Sequence, residues 1–155
     1  MDWIFIAFFI ASIIHMVEEY FYPGGFMEVM QSLNPEIAPL VTVPATIIIN
    51  GLQLLLCIAA MMIGKNALIF SLSIAGLLFI NGLMHIIGCV RVKGYAPGAI
   101  TGAFLYIPIS GYAYYLFIGS GQLTLNGALI TAILGLLYQA IPIGYFEVAS
   151  AFRSV

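Results

Sequence analysis

The 155 residues are 63% hydrophobic and only 6% charged, with four Lys or Arg against six Asp or Glu. A soluble domain carries roughly 25% charged residues, and so short a chain has too little polar surface to cover this much apolar side chain. Composition therefore predicts a chain solvated by a bilayer, and the lack of any Lys/Arg cluster excludes nucleic acid as a partner, because phosphate binding needs grouped cations.

A spanning helix needs about 20 mostly apolar residues. Five segments meet that length, which predicts an all-α integral membrane protein, one compact transmembrane bundle over residues 1–155. The first segment, about 3–21, lacks the basic region and cleavage site of a signal peptide and reads as a retained helix with Trp3 as interfacial anchor. The connection over 22–39 holds Pro23-Gly24-Gly25, then Phe26-Met27-Glu28-Val29-Met30, which suits a short interfacial helix. The second segment, about 40–63, ends at Gly64-Lys65-Asn66. The third, about 67–90, is stopped by Arg91-Val92-Lys93-Gly94. The fourth, about 99–118, ends in Gly119-Ser120-Gly121. The fifth, about 123–149, contains Pro142, where a missing N–H is expected to kink the helix. Gly127, Thr131 and Gly135, four apart, suit close helix packing. Cys57 and Cys89 lie in different segments at different depths and are expected as free thiols.

Arg91, Lys93 and Arg153 share one side of a five-span topology and Lys65 lies on the other. The positive-inside rule then places the N-terminus outside and the C-terminus in the cytoplasm. Ionisable groups within a bilayer cost about 2.5 to 3.5 kcal/mol each on insertion scales. The first segment nevertheless carries His15, Glu18 and Glu19, which share a helical face with Ser12 and Tyr22. The third carries Asn81 and His85, one turn apart. The two segments run the same way, so both imidazoles should sit roughly 8 to 9 Å below the same surface. Asn50, Gln139, Tyr145 and Glu147 approach that surface, and Tyr95, Pro97, Gly98 and Thr101 lie just outside it. Polar residues thus converge on the cytoplasmic half, while the other half is nearly pure Leu, Ile, Ala and Phe.

His15-Met16-Val17-Glu18-Glu19 reads H-x-x-E-E, Asn81 to His85 reads N-x-x-x-H, and Tyr95-Ala96-Pro97-Gly98 reads Y-x-P-G. In this order and spacing the motifs resemble the HXXEE family of small bacterial and archaeal membrane proteins. The resemblance implies an integral protein of the prokaryotic plasma membrane, with enzymatic activity and no named substrate.

Two imidazoles and one or two carboxylates form a ligand set for a divalent ion, Zn²⁺ foremost and Fe²⁺ as the alternative. His15, Glu19 and His85 are the expected ligands, with Glu18 as a further ligand or as the base acting on metal-bound water. The two Glu roles are interchangeable at this level. Asn81 joins Glu18 and Glu19 as a catalytic candidate by orienting His85 or a substrate carbonyl, and Asn50, Tyr95 and Gln139 are candidate substrate-binding groups. Against these stand plainer roles: a self-neutralising His–Glu network, interhelical hydrogen bonds from Asn50 and Gln53, and a tight turn at Tyr95 to Gly98.

Three functions compete. The first is a metalloenzyme of hydrolase or isomerase type acting on a lipophilic small molecule drawn from the bilayer. The second is a metal-free hydrolase, similar to the CAAX-type intramembrane proteases in its paired Glu, although Pro23 stands where their E-E-x-x-x-R pattern has Arg. The third is an ion or proton pathway or a binding subunit, for which a homodimer would supply an interface.

Overall fold

The computed structural model describes residues 3–21 and 25–153, with side chains through residue 146. The described chain is built of helices: α1 (Trp3–Phe21), α2 (Phe26–Leu33), α3 (Val43–Ile63), α4 (Leu68–Val92), α5 (Ala99–Thr101), α6 (Ile107–Gly119) and α7 (Leu125–Arg153). A π-helical stretch, Gly102–Tyr106, joins α5 to α6. Pro108 accounts for it, since a proline nitrogen cannot donate to the carbonyl four residues back and its ring needs a wider turn there.

Local chemistry sets the helix ends. α3 starts at Val43 rather than near residue 40, because Thr42 caps it through Oγ1, which accepts from Ala45 N at 3.4 Å, and Pro44 occupies the first turn, where no intrahelical N–H is lost. α4 runs on to Val92 and closes with Lys93 in the left-handed region at φ 53°. There Lys93 N donates to Val90 O and Gly94 N to Cys89 O, the two bonds of a Schellman cap. The connection after α1 contains the short helix α2, as its pattern predicts. α7 is helical on both sides of Pro142.

The 50-residue apolar run Val43–Val92 is folded double at the 3₁₀ turn Gly64–Ala67. Cross-contacts give the directions. Asn50 meets Glu19, Cys57 meets Ser12, and Gly64 lies beside Phe5, so α1 and α3 are antiparallel. Thr101 meets His15 and Phe117 stacks on Phe5, so the α5–α6 rod also runs against α1. α7 runs parallel to α4, with Thr131 beside Gly76 and Gln139 beside Asn81. α4 is central and packs on α1, α3, α6 and α7.

Phe5, Phe8, Leu72, Leu78, Tyr106 and Phe117 fill the core, while Ile47, Ile48, Leu52 and Leu55 of α3 and Leu129, Ile133, Leu136 and Leu137 of α7 face outward. A soluble bundle would place polar residues on those outer faces. By length and composition Trp3–Phe21, Val43–Val92 and Leu125–Phe146 are apolar enough to cross a membrane. The α5–α6 rod crosses the same bundle but is divided by its π stretch into pieces of 3, 5 and 13 residues. The protein is an all-α membrane bundle.

One close approach positions the site. A Cβ at Gly82 would lie 2.9 Å from the carbonyl oxygen of Gly102, so the two backbones touch. That contact seats the start of the α5–α6 rod against α4, within reach of α1.

Candidate metal centre

His15 and Glu19 lie one turn apart on the inner face of α1, and His85 projects from α4 to meet them. All three are buried, at 1%, 4% and 7% exposure. Oε1 of Glu19 is 3.5 Å from Nε2 of His15 and 3.2 Å from Nε2 of His85. One ligand atom from each of the three lies within 4.8 Å of the others. The two rings meet edge to face with centroids 4.7 Å apart.

The outer nitrogens have fixed partners. Nδ1 of His85 is 2.7 Å from the carbonyl oxygen of Pro97, which can only accept, so His85 donates from Nδ1. Nδ1 of His15 is 2.7 Å from Oγ1 of Thr101, whose own proton goes to the carbonyl of Gly98 at 3.3 Å. Each ring thus turns Nδ1 toward the Pro97–Thr101 stretch and Nε2 toward Oε1 of Glu19. Nε2 of His15 has no hydrogen-bond partner among the described residues, although it is buried.

The surroundings hold this arrangement. Oε2 of Glu19 accepts from Asn50 Nδ2 at 2.9 Å. Tyr106 lies against the His15 ring with centroids 4.3 Å apart and planes 30° apart, and its hydroxyl accepts from Gln53 Nε2 at 2.8 Å. Phe26 of α2 reaches over His85 at 5.6 Å between ring centroids. Gly98, at φ 90°, packs flat against both imidazoles.

Glu18 points elsewhere. Its Oε1 accepts from Ile100 N at 3.0 Å and from the Tyr95 hydroxyl, and its Oε2 accepts from Thr101 N at 2.7 Å. Its carboxylate faces the Tyr95–Thr101 segment while the Glu19 carboxylate faces the imidazoles. Asn81 Nδ2 donates to Gln139 Oε1 at 3.4 Å, which pairs two candidate residues with each other between α4 and α7. Asn81 Oδ1 is buried and unpartnered among the described residues. Ser12 faces Cys57 at 3.3 Å, both cysteines are free, and Tyr145 is exposed with its ring on Phe146. Tyr22 and the side chain of Glu147 lie outside the described residues.

A family model described as a protein of unknown function with an HXXEE motif matches residues 4–113, a stretch that contains His15, Glu18, Glu19, His85 and the whole Tyr95–Thr101 segment. The chain belongs to the HXXEE family. No curated protein and no solved structure matches it. In this HXXEE protein the motif letters separate spatially: His15 and Glu19 enter the cluster, and Glu18 turns to the loop. Sequence reasoning left Thr101 as a loop neighbour and missed Tyr106 and the Pro97 carbonyl. No pattern marks Tyr106 among nine Tyr residues. A backbone carbonyl carries no side-chain signal, though Pro97-Gly98 marks a turn at its position.

Proposed function

We propose that this HXXEE protein is a membrane-embedded metal-dependent enzyme in which His15, Glu19 and His85 hold one divalent ion. The observation that carries this reading is that both Nε2 atoms face one carboxylate oxygen, with each ring held from behind by a partner on Nδ1. Metal-ligating histidines characteristically have that outer partner. A buried nitrogen without a partner is costly unless something fills its place. Two nitrogens and one oxygen suit Zn²⁺ with an open fourth position, and the same set suits non-haem Fe²⁺. A bound Zn²⁺ would polarise a carbonyl or acidify a water, which favours hydrolysis or isomerisation over oxygen chemistry.

The proposed substrate is a lipid-like molecule. A groove of about 320 Å³, lined by Ile14, Val17, Phe21 and Ile100 with Glu18 and Thr101 at its polar side, opens on the outer face of α1 beside the cluster. Such a groove suits an apolar chain arriving from the bilayer. Arg91 and Lys93 close the end of α4 just beyond His85, which supports a site in the cytoplasmic half, an external N-terminus and a cytoplasmic C-terminus.

A metal-free acid–base hydrolase is the second reading, favoured by the direct 3.2 Å approach of His85 Nε2 to Glu19 Oε1. A conduit has less support, because Phe5, Phe8 and Phe117 fill the core beyond Tyr106 and, among the described residues, no buried imidazole or carboxylate lies outside the cluster. Elemental analysis of protein purified in mild detergent, before and after equilibration with Zn²⁺, separates the first two. One ion per chain, lost in His15→Ala and in His85→Ala while folding is kept, is expected. Folded wild type without an ion after equilibration would leave the acid–base hydrolase as the reading.

A further inference from the structure

We infer that Glu18 is a positioning residue that holds both imidazoles in orientation through the Tyr95–Thr101 segment; the consequence for metal affinity rests on the metal-centre reading above. Three donors converge on its carboxylate: the Tyr95 hydroxyl and the backbone N–H groups of Ile100 and Thr101. The two N–H groups belong to the first turn of α5, where no helical carbonyl is available to them. The carboxylate thus ties α1 to both ends of the segment at once.

The middle of that segment is what touches the imidazoles. Pro97 presents its carbonyl to His85, Thr101 presents its hydroxyl to His15, and Gly98 lies between the rings with no space for a side chain. A small shift of the segment would break both Nδ1 hydrogen bonds together, and each ring would then be free to turn its Nε2 away from Glu19. Hydrogen bonds to a charged carboxylate are the stronger kind, which suits Glu18 to hold a loop that has to stay registered within tenths of an ångström. The neighbouring glutamates of the motif thereby divide the work: Glu19 faces the cluster and Glu18 fixes the frame that orients its histidines. Tyr95 and Gly98 of the Y-x-P-G sequence act in the same frame, as clamp donor and as packing surface.

The test uses the full chain in detergent, with ¹⁵N-labelled histidine. In metal-free wild type each imidazole, held in one orientation, is expected to give a single sharp set of ring ¹⁵N resonances. Glu18→Ala should broaden or split them and weaken Zn²⁺ binding by about 10- to 100-fold, the range found when outer partners of metal-ligating histidines are removed. Tyr95→Phe, which removes one clamp donor and no candidate ligand, should shift both readouts the same way by a smaller factor, and it decides the matter if Glu18→Ala does not fold. Wild-type ring resonances in the folded variants overturn the inference. Wild type that binds no Zn²⁺ while Glu18→Ala still broadens or splits them overturns the metal reading and leaves the clamp standing.

Discussion

A Cβ atom at Gly98 would fall 2.6 Å from Nδ1 of His85, and the same atom would lie 2.8 Å from Cε1 of His15. With φ at 90°, the position is also in the region that disfavours any side chain. Gly98→Ala should therefore displace both imidazoles and add backbone strain, costing about 1–3 kcal/mol. We expect Zn²⁺ affinity to fall by about 10- to 100-fold, one to two tenfold steps of 1.4 kcal/mol. Competition titration against a zinc chelator measures it. An alanine variant with unchanged affinity would show that the loop is not packed on the histidines as described.

Tyr106 separates ring packing from hydrogen bonding. It is fully buried and lies against His15, while its hydroxyl accepts from Gln53. Tyr106→Phe keeps the ring and leaves the Gln53 amide short of a partner, for about 1–3 kcal/mol of stability with little change in metal stoichiometry. Tyr106→Ala opens a cavity beside His15 and should cost about 3–5 kcal/mol. Unfolding in mixed detergent micelles, paired with metal content, distinguishes the two. Equal losses of metal in both variants would contradict this division.

Gly135 reports on the bundle alone. A Cβ there would run into the backbone of Gly76 and Leu77, so α7 approaches α4 only because position 135 lacks a side chain. Gly135→Leu should destabilise the bundle by about 1–3 kcal/mol or more through overpacking. The folded fraction should keep its metal stoichiometry, since none of the three cluster residues is on α7. Wild-type stability in this variant would be incompatible with the α4–α7 packing.

Asn81 and Gln139 test whether a half-buried polar pair is only glue between helices. Replacing one alone, as in Gln139→Leu, leaves the Asn81 amide without its partner and should cost about 1–3 kcal/mol. Replacing both with Leu should recover most of that loss, and zinc binding should be unaffected in either case. If the double variant loses the ion, Asn81 reaches the cluster in a way that its pairing with Gln139 does not express.

Orientation is open to direct measurement. With both termini on opposite sides, reporter fusions should give an external N-terminus and a cytoplasmic C-terminus. A cysteine placed at Tyr95, about one-third exposed, should react with a polar thiol reagent from the cytoplasmic side, whereas buried Cys57 should not. Reaction at position 95 only from the outside would invert the proposed topology.

The apolar runs and their punctuation were enough to place the helices to within a few residues, because a bilayer demands long uninterrupted hydrophobic stretches and tolerates turn residues only between them. The four-residue step from His15 to Glu19 and the similar distance of His15 and His85 from their helix ends were likewise sufficient to put the three at one level, since rise per residue is constant along a helix. Rotation about the helix axis was out of reach. Glu18 and Glu19 differ by about 100° around α1, and in lipid both the buried and the outer face are apolar, so no amphipathic contrast says which of them turns inward. That choice came from the stripe Ile4, Phe8, Ala11, Ser12 and His15 seating against α3, α4 and the α5–α6 rod, which carries Glu19 inward and leaves Glu18 to the loop. The partners of the imidazoles were equally hidden, because a Pro97 carbonyl and a Thr101 hydroxyl reach His85 and His15 only when the Gly82–Gly102 contact lets a distant piece of chain fold over them.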